Sequence, residues 1–135
     1  MLEITRQADY ALLAVLEIAT LAEGERMVTS AISENQDIPL PFLTKIISRL
    51  VAGGILETAR GSGGGVRLAR QPEEITMYDV IQAIDGPITL NRCMRVGDGC
   101  GRAPDCPMCS VFDRARQKLI AELDDTSVAD LQTIN

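Results

Sequence analysis

Apolar residues crowd the start of the chain at helical spacing. From Asp9 to Ala22 the residues are good helix formers and mostly apolar, which predicts a buried first helix with Asp9 capping its start and Gly24 ending it. The stretch "VTSAISENQDI" then offers Thr29 or Ser30 as the N-cap of a short second helix. A few residues later "PLPFLTKIISRLVAGG" places Leu43, Ile46, Ile47 and Leu50 at i, i+3, i+4 and i+7, with Pro41 suited to the first turn and Gly53-Gly54 as the stop. Two helices joined by so tight a link predict a helix-turn-helix. The second of them turns Thr44, Lys45, Ser48 and Arg49 outward.

The period then changes. "ILETARGSGGGVRLAR" reads as strand, glycine-rich turn, strand, because Ile55 and Leu56 precede the glycines while Val66 and Leu68 alternate with arginines after them. Helix, turn, helix, hairpin is the order of a winged helix-turn-helix. "ITMYDVIQAIDG" predicts another helix, with Thr76 and Asp79 close to a capping-box pattern and Gly86-Pro87 ending it. Further on, "SVFDRARQKLIAEL" sets Phe112, Ala115, Leu119 and Leu123 along one stripe, widened by Val111 and Ile120. A long helix carrying such a stripe outside the winged core is expected to pair with its symmetry mate. The tail from Asp124 to Asn135 is read as a short extra helix or a frayed end.

The expected fold is therefore mainly α with a small β wing, a winged helix-turn-helix plus a long C-terminal dimerisation helix. It divides into a DNA-binding domain over residues 1–86, a cysteine-rich loop over 87–109, and a dimerisation helix and tail over 110–135. Two Phe, two Tyr and no Trp mean that its core must be aliphatic.

A formal charge of −6 argues against nucleic acid as a partner until its distribution is considered. Residues 41–70 hold Lys45, Arg49, Arg60, Arg67 and Arg70 against Glu57 alone, a local +4, while the segments on either side each carry −5. Such a basic footprint suits phosphates at one face. The glycine run "GSGGGV" lacks the G-K-[ST] ending of a phosphate loop, and Val66 falls where a G-x-G-x-x-G match from Gly61 needs its last glycine. A wing fits better. Gly63 and Gly64 let backbone approach DNA, and Arg60 and Arg67 on either side reach phosphates or a narrow minor groove. The competing reading is an exposed hairpin with solvated charges. No apolar run approaches the roughly 20 residues of a membrane-spanning helix, and Glu3, Asp9 and Glu17 interrupt the start, so a cytoplasmic protein with no membrane partner is expected.

All four cysteines fall between Cys93 and Cys109, in a chain with no histidine. Their spacings, C-x6-C, C-x5-C and C-x2-C, match neither the paired C-x2-C of zinc ribbons nor a ferredoxin run. Three irregularly spaced thiolates on a Gly/Pro-rich loop, followed by one at helical spacing, can still wrap a compact inorganic core. Cys106 and Cys109 fall at the start of the long helix, where the helix dipole favours thiolate. An iron-sulfur cluster held by Cys93, Cys100, Cys106 and Cys109 is the leading expectation. Zinc, a direct thiol-redox sensor and four unligated thiols are the rivals. "CPMC" also invites comparison with dithiol oxidoreductases, but no βαβ unit is visible, and no enzymatic activity is expected.

The ordered series "ADYALLAVLEIA", "IPLPFLTKIISRLVAGGIL", "RGSGGGVRLAR", "EEITMYDVIQAIDGPI" and the cysteine loop resembles the Rrf-two family of bacterial winged-helix regulators, with its IscR and NsrR branches, over residues 1 to about 125. The resemblance implies a homodimer on a palindromic double-stranded DNA operator, regulated through a 2Fe-2S or 4Fe-4S cluster. It places the helix beginning at Pro41 in the major groove and Arg60 in the minor groove, and it implies Cys93, Cys100 and Cys106 as ligands. The fourth ligand stays open. One branch has a histidine where this chain has Cys109; the other uses an aspartate from the partner subunit, a position Asp9 fits unless it only caps the helix. The first gap, C-x6-C, is one residue longer than in those branches.

Overall fold

The computed structural model describes residues 3–91 and 106–134. Among the described residues six α-helices and one hairpin follow in order, α1 Arg6–Ile18, α2 Thr29–Gln36, α3 Leu40–Ala52, β1 Leu56–Ala59, β2 Gly65–Leu68, α4 Met77–Asp85, α5 Pro107–Asp124 and α6 Val128–Thr133, with a 3-10 turn at Pro72–Glu74. Helix, turn, helix and wing stand in the expected order.

α1 begins earlier than the apolar pattern places it. Thr5, in extended conformation, accepts the Ala8 amide on its Oγ1 at 3.1 Å and is the N-cap. The Asp9 amide already donates to the Thr5 carbonyl at 3.1 Å, so Asp9 lies inside the first turn and does not cap it. Exposed Arg6 and polar Gln7 break the apolar run and hide the boundary. The helix also stops before Ala22. Thr20 Oγ1 donates to the Glu17 carbonyl at 2.6 Å, while Gly24, at φ +85°, belongs to the loop beyond. Asp85, the last residue of α4, receives the Thr5 hydroxyl at 2.5 Å and so ties the start of α1 to the end of α4.

α2 has no side-chain cap, and Thr29 lies inside it. Its start is fixed from another direction. Met27 exchanges two backbone hydrogen bonds with Val66 of β2, at 3.0 and 2.8 Å, so the chain entering α2 adds a third rung to the wing. α3 follows expectation, with Leu43, Ile46, Ile47 and Leu50 all buried. They join Ala8, Ala11 and Ala14 of α1, where the small side chains bring α1 close to α3 and α4. Every buried core residue among the described ones is Ala, Val, Ile or Leu, as the aromatic-poor composition requires.

The capping box of α4 forms as expected. The Asp79 amide donates to Thr76 Oγ1 at 3.0 Å and the Thr76 amide to Asp79 Oδ2 at 3.1 Å. Thr76 Oγ1 also donates to Asp124 Oδ1 at 3.1 Å, which links the cap to the end of α5. Thr76→Ala removes both interactions and is expected to lower stability by about 1 kcal/mol, read as a shift of the urea midpoint with an unchanged slope.

No residue of α5 is buried within the chain, and Met108, Val111, Phe112 and Leu119 are exposed along it. The chain then returns to the core. The Met77 amide donates to the Thr126 carbonyl at 2.9 Å and the Val128 amide to the Ile75 carbonyl at 2.7 Å, while Val128 is buried and Gln132 Nε2 donates to the Ala19 carbonyl at 3.0 Å. The tail is thus an ordered helix, opened by a second capping box between Ser127 and Asp130. It anchors the far end of α5 to α1 and α4.

Candidate nucleic-acid interface

The outward face of α3 is the first part of the candidate interface. Thr44, Lys45 and Ser48 are exposed beside Pro41 in the first turn. Thr44 Oγ1 donates back to the Leu40 carbonyl at 2.9 Å, which leaves its lone pairs outward. Among the described residues nothing pairs with Lys45. Arg49 is different. Its Nη1 donates to Gln7 Oε1 and to the Ile84 carbonyl, both at 3.3 Å, so its guanidinium holds α3 against α1 and α4. Sequence reasoning placed Arg49 with the outward cations; the structure gives it a positioning contact.

The wing is the second part. β1 and β2 pair antiparallel with Leu56 opposite Leu68, Glu57 opposite Arg67, Thr58 opposite Val66 and Ala59 opposite Gly65. The register sets Arg67 beside Glu57, with Nε 2.7 Å from Oε1. At this half-exposed site the pair is worth at most about 1 kcal/mol, yet it neutralises Arg67 locally. Arg60, the first residue after β1, is exposed and has no ion pair or hydrogen bond among the described residues. Of the two arginines expected to flank the turn, the structure leaves Arg60 open and couples Arg67 to a carboxylate that spacing alone did not flag.

The glycines of the turn have two different reasons for being there. Gly63 adopts φ +76° with open space around it. Gly64 and Gly65 are crowded, since a Cβ at Gly64 would lie 2.6 Å from the Ala59 carbonyl oxygen and one at Gly65 would lie 2.7 Å from that of Met27. The run therefore closes the wing and admits the Met27 rung.

Sequence reasoning missed two exposed residues of α3. Leu40 and Phe42 are 45% and 50% exposed in its first turn. The signal was available, because both lie outside the Leu43–Ile46–Ile47–Leu50 stripe.

The expected ligands divide. Cys93 and Cys100 lie outside the described residues. Cys106 is the N-cap of α5, and Cys109 follows within its first turn, both half-buried. Asp9 is exposed in the first turn of α1. Among the described residues no three of His, Cys, Asp and Glu gather as a metal-binding group, so Asp9, Cys106 and Cys109 of one chain do not form such a set by themselves.

Known proteins match this chain along almost its full length. The Rrf2 family, described as an iron-dependent transcriptional regulator, matches residues 4–133. A Mycobacterium tuberculosis protein named as an HTH-type transcriptional regulator is 32% identical over 130 residues, covering 96% of this chain and 81% of that protein. Among solved structures, CymR, the global cysteine regulator of B. subtilis, superposes with a TM-score of 0.79 at 26% identity and covers 98% of both chains. T. potens IscR superposes with a TM-score of 0.75 at 24% identity, over 96% of this chain and 85% of that one, and so shares the fold. With a winged helix-turn-helix fold and a family match over residues 4–133, the protein belongs to the Rrf2 family of transcriptional regulators, DNA-binding proteins and not enzymes.

Proposed function

We propose that the protein is a cytoplasmic, homodimeric regulator whose affinity for a palindromic operator responds to iron, redox or nitric oxide status through an iron-sulfur cluster held by Cys93, Cys100, Cys106 and Cys109, with Asp9 of the partner subunit as the other candidate for the fourth position. The observation that carries this reading is the position of Cys106 and Cys109 at the opening of α5, a helix with exposed apolar residues along it among the described residues and a far end tied to the winged core. Four thiols and no histidine form a soft donor set that suits iron-sulfur ligation. A bound cluster would supply iron that reacts with oxidants and nitric oxide.

The chain's own residues do the rest. Met108, Val111, Phe112 and Leu119 leave apolar side chains exposed along α5 for a second copy to cover, and a groove of about 480 Å³ lined by Ile4, Met77, Ile81, Pro87, Leu119 and Leu123 continues them. α3 enters the major groove with Pro41, Thr44, Lys45 and Ser48, and the wing brings Arg60, Gly63 and Gly64 to the backbone and minor groove. Arg116 Nε donates to the Ile88 carbonyl at 2.7 Å and joins α5 to the segment after α4. A change at the first turn of α5 is thereby felt at α4, which packs on α3.

Native mass spectra of anaerobically purified dimer, paired with gel shifts on the DNA upstream of its own gene, test this reading. Iron and sulfide in the dimer together with a shift that depends on them are expected; a dimer without iron after reconstitution overturns it. Arg67→Ala, whose guanidinium already has Glu57, is expected to change operator affinity by less than about threefold. A second reading keeps the DNA-binding dimer and makes the cysteines a zinc site or a direct thiol sensor. The likeness to CymR, named as a cysteine regulator, favours it over an oxidoreductase.

A further inference from the structure

The first turn of α3 differs from a helix start that anchors phosphate. Leu40, Pro41 and Phe42 carry no polar side-chain atom, Pro41 has no amide hydrogen, and the amides of Phe42 and Leu43 both donate to the Pro39 carbonyl at 3.0 Å. The end of the helix that would enter the groove first is therefore an apolar tip poor in donors. Phe42 is half exposed and Leu40 nearly so. Hydrogen-bonding groups begin only one turn further along, with Thr44, Lys45 and Ser48. Lys45 lies about one turn further along α3 and Arg60 stands on the wing, both exposed, so the nearest cation on α3 flanks this tip without occupying it.

A hydrophobic surface held against duplex DNA by flanking cations meets only one apolar feature in the major groove, the 5-methyl group of thymine. Bulky apolar residues in a solvated first turn lose free energy unless that surface is covered, and no other part of the described chain covers them. We propose that Phe42, assisted by Pro41 and Leu40, is a specificity-determining residue that selects thymine through its methyl group. It follows that each half-site has thymine where the tip of α3 touches down. The inference rests on the reading of α3 as the recognition helix.

The test uses the full chain and duplexes selected by it from a random pool. In the selected duplex, thymines are replaced by deoxyuridine one symmetric pair at a time, which removes the methyl and leaves every donor and acceptor in place. At one or two pairs, binding is expected to weaken about tenfold, on the order of one methyl burial in each half-site. Phe42→Ala is expected to bind the thymine duplex more weakly and to show no further loss with deoxyuridine at the pair that Phe42 reads. Two results overturn the proposal while leaving DNA binding intact. They are a fully deoxyuridine-substituted duplex that binds as tightly as the parent, and a Phe42→Ala protein that keeps the full deoxyuridine penalty. If the pool yields no enriched sequence and no retained duplex, the recognition-helix reading itself fails, and the proposal with it.

Discussion

Arg60→Ala is expected to lower operator affinity about tenfold or more at physiological salt and to reduce the slope of log affinity against log salt by about two. Each neutralised phosphate contributes about −0.9 to that slope, and the proposed dimer would present Arg60 twice. The structure makes Arg60 the wing's available cation. It follows β1 directly, stands exposed beside a turn whose backbone is held by the Met27 rung, and has no carboxylate partner among the described residues, whereas Arg67 is bound to Glu57 at 2.7 Å. Because Arg60 is exposed and makes no ion pair or hydrogen bond with the described residues, loss of its side chain is expected to be felt in binding and not in folding. Affinity measured across a salt series checks this. An unchanged slope would remove Arg60 from the footprint, and a comparable loss in Arg67→Ala would show that the Glu57 pair opens on DNA.

Much of this architecture was legible in the sequence because its signals are local. The Leu43–Ile46–Ile47–Leu50 stripe, the Thr76–Asp79 capping box and the strand–glycine–strand hairpin each arise within a dozen residues, and each stands as read. The misreadings arise where a short polar break hides a boundary or a residue far along the chain decides the outcome. Asp9 looks like a cap, but Thr5 takes that place and is itself held by Asp85. Thr29 looks like a cap, but Met27 pairs with Val66 and sets the start of α2 without one. Arg49 is exposed as read, and its bonds to the Ile84 carbonyl and Gln7 are a further contact that spacing does not show. Periodicity reports which face of a helix is wet. It does not report which wet cation another element will take, and for the candidate site that distinction separates Arg60 from Arg67 and Lys45 from Arg49.

Cys106→Ala is expected to abolish iron and sulfide retention and, with it, the difference in operator affinity between loaded and chelator-stripped protein. In the wild type that difference is expected to be about tenfold, within the 1–3 kcal/mol typical of coupling between two sites. The expectation follows from where Cys106 stands. As N-cap of α5 it joins the cysteine segment to the helix, and Pro107 after it fixes the entry of the chain. The other end of α5 is clamped by Asp124 on Thr76, by the Thr126 carbonyl on the Met77 amide and by buried Val128. In the proposed dimer, a helix held at its far end would transmit a shift at its start to α4 and to the partner copy, and so would change the separation of the two copies of α3. Cys93→Ala should behave as Cys106→Ala does. Comparing Cys109→Ala with Asp9→Ala identifies the fourth ligand, since only the variant lacking it should lose the cluster on anaerobic purification. If Cys106→Ala keeps its iron, the ligand set is wrong. If it loses iron but keeps the tenfold switch, ligation and DNA affinity are uncoupled, and the response must arise at the thiols alone.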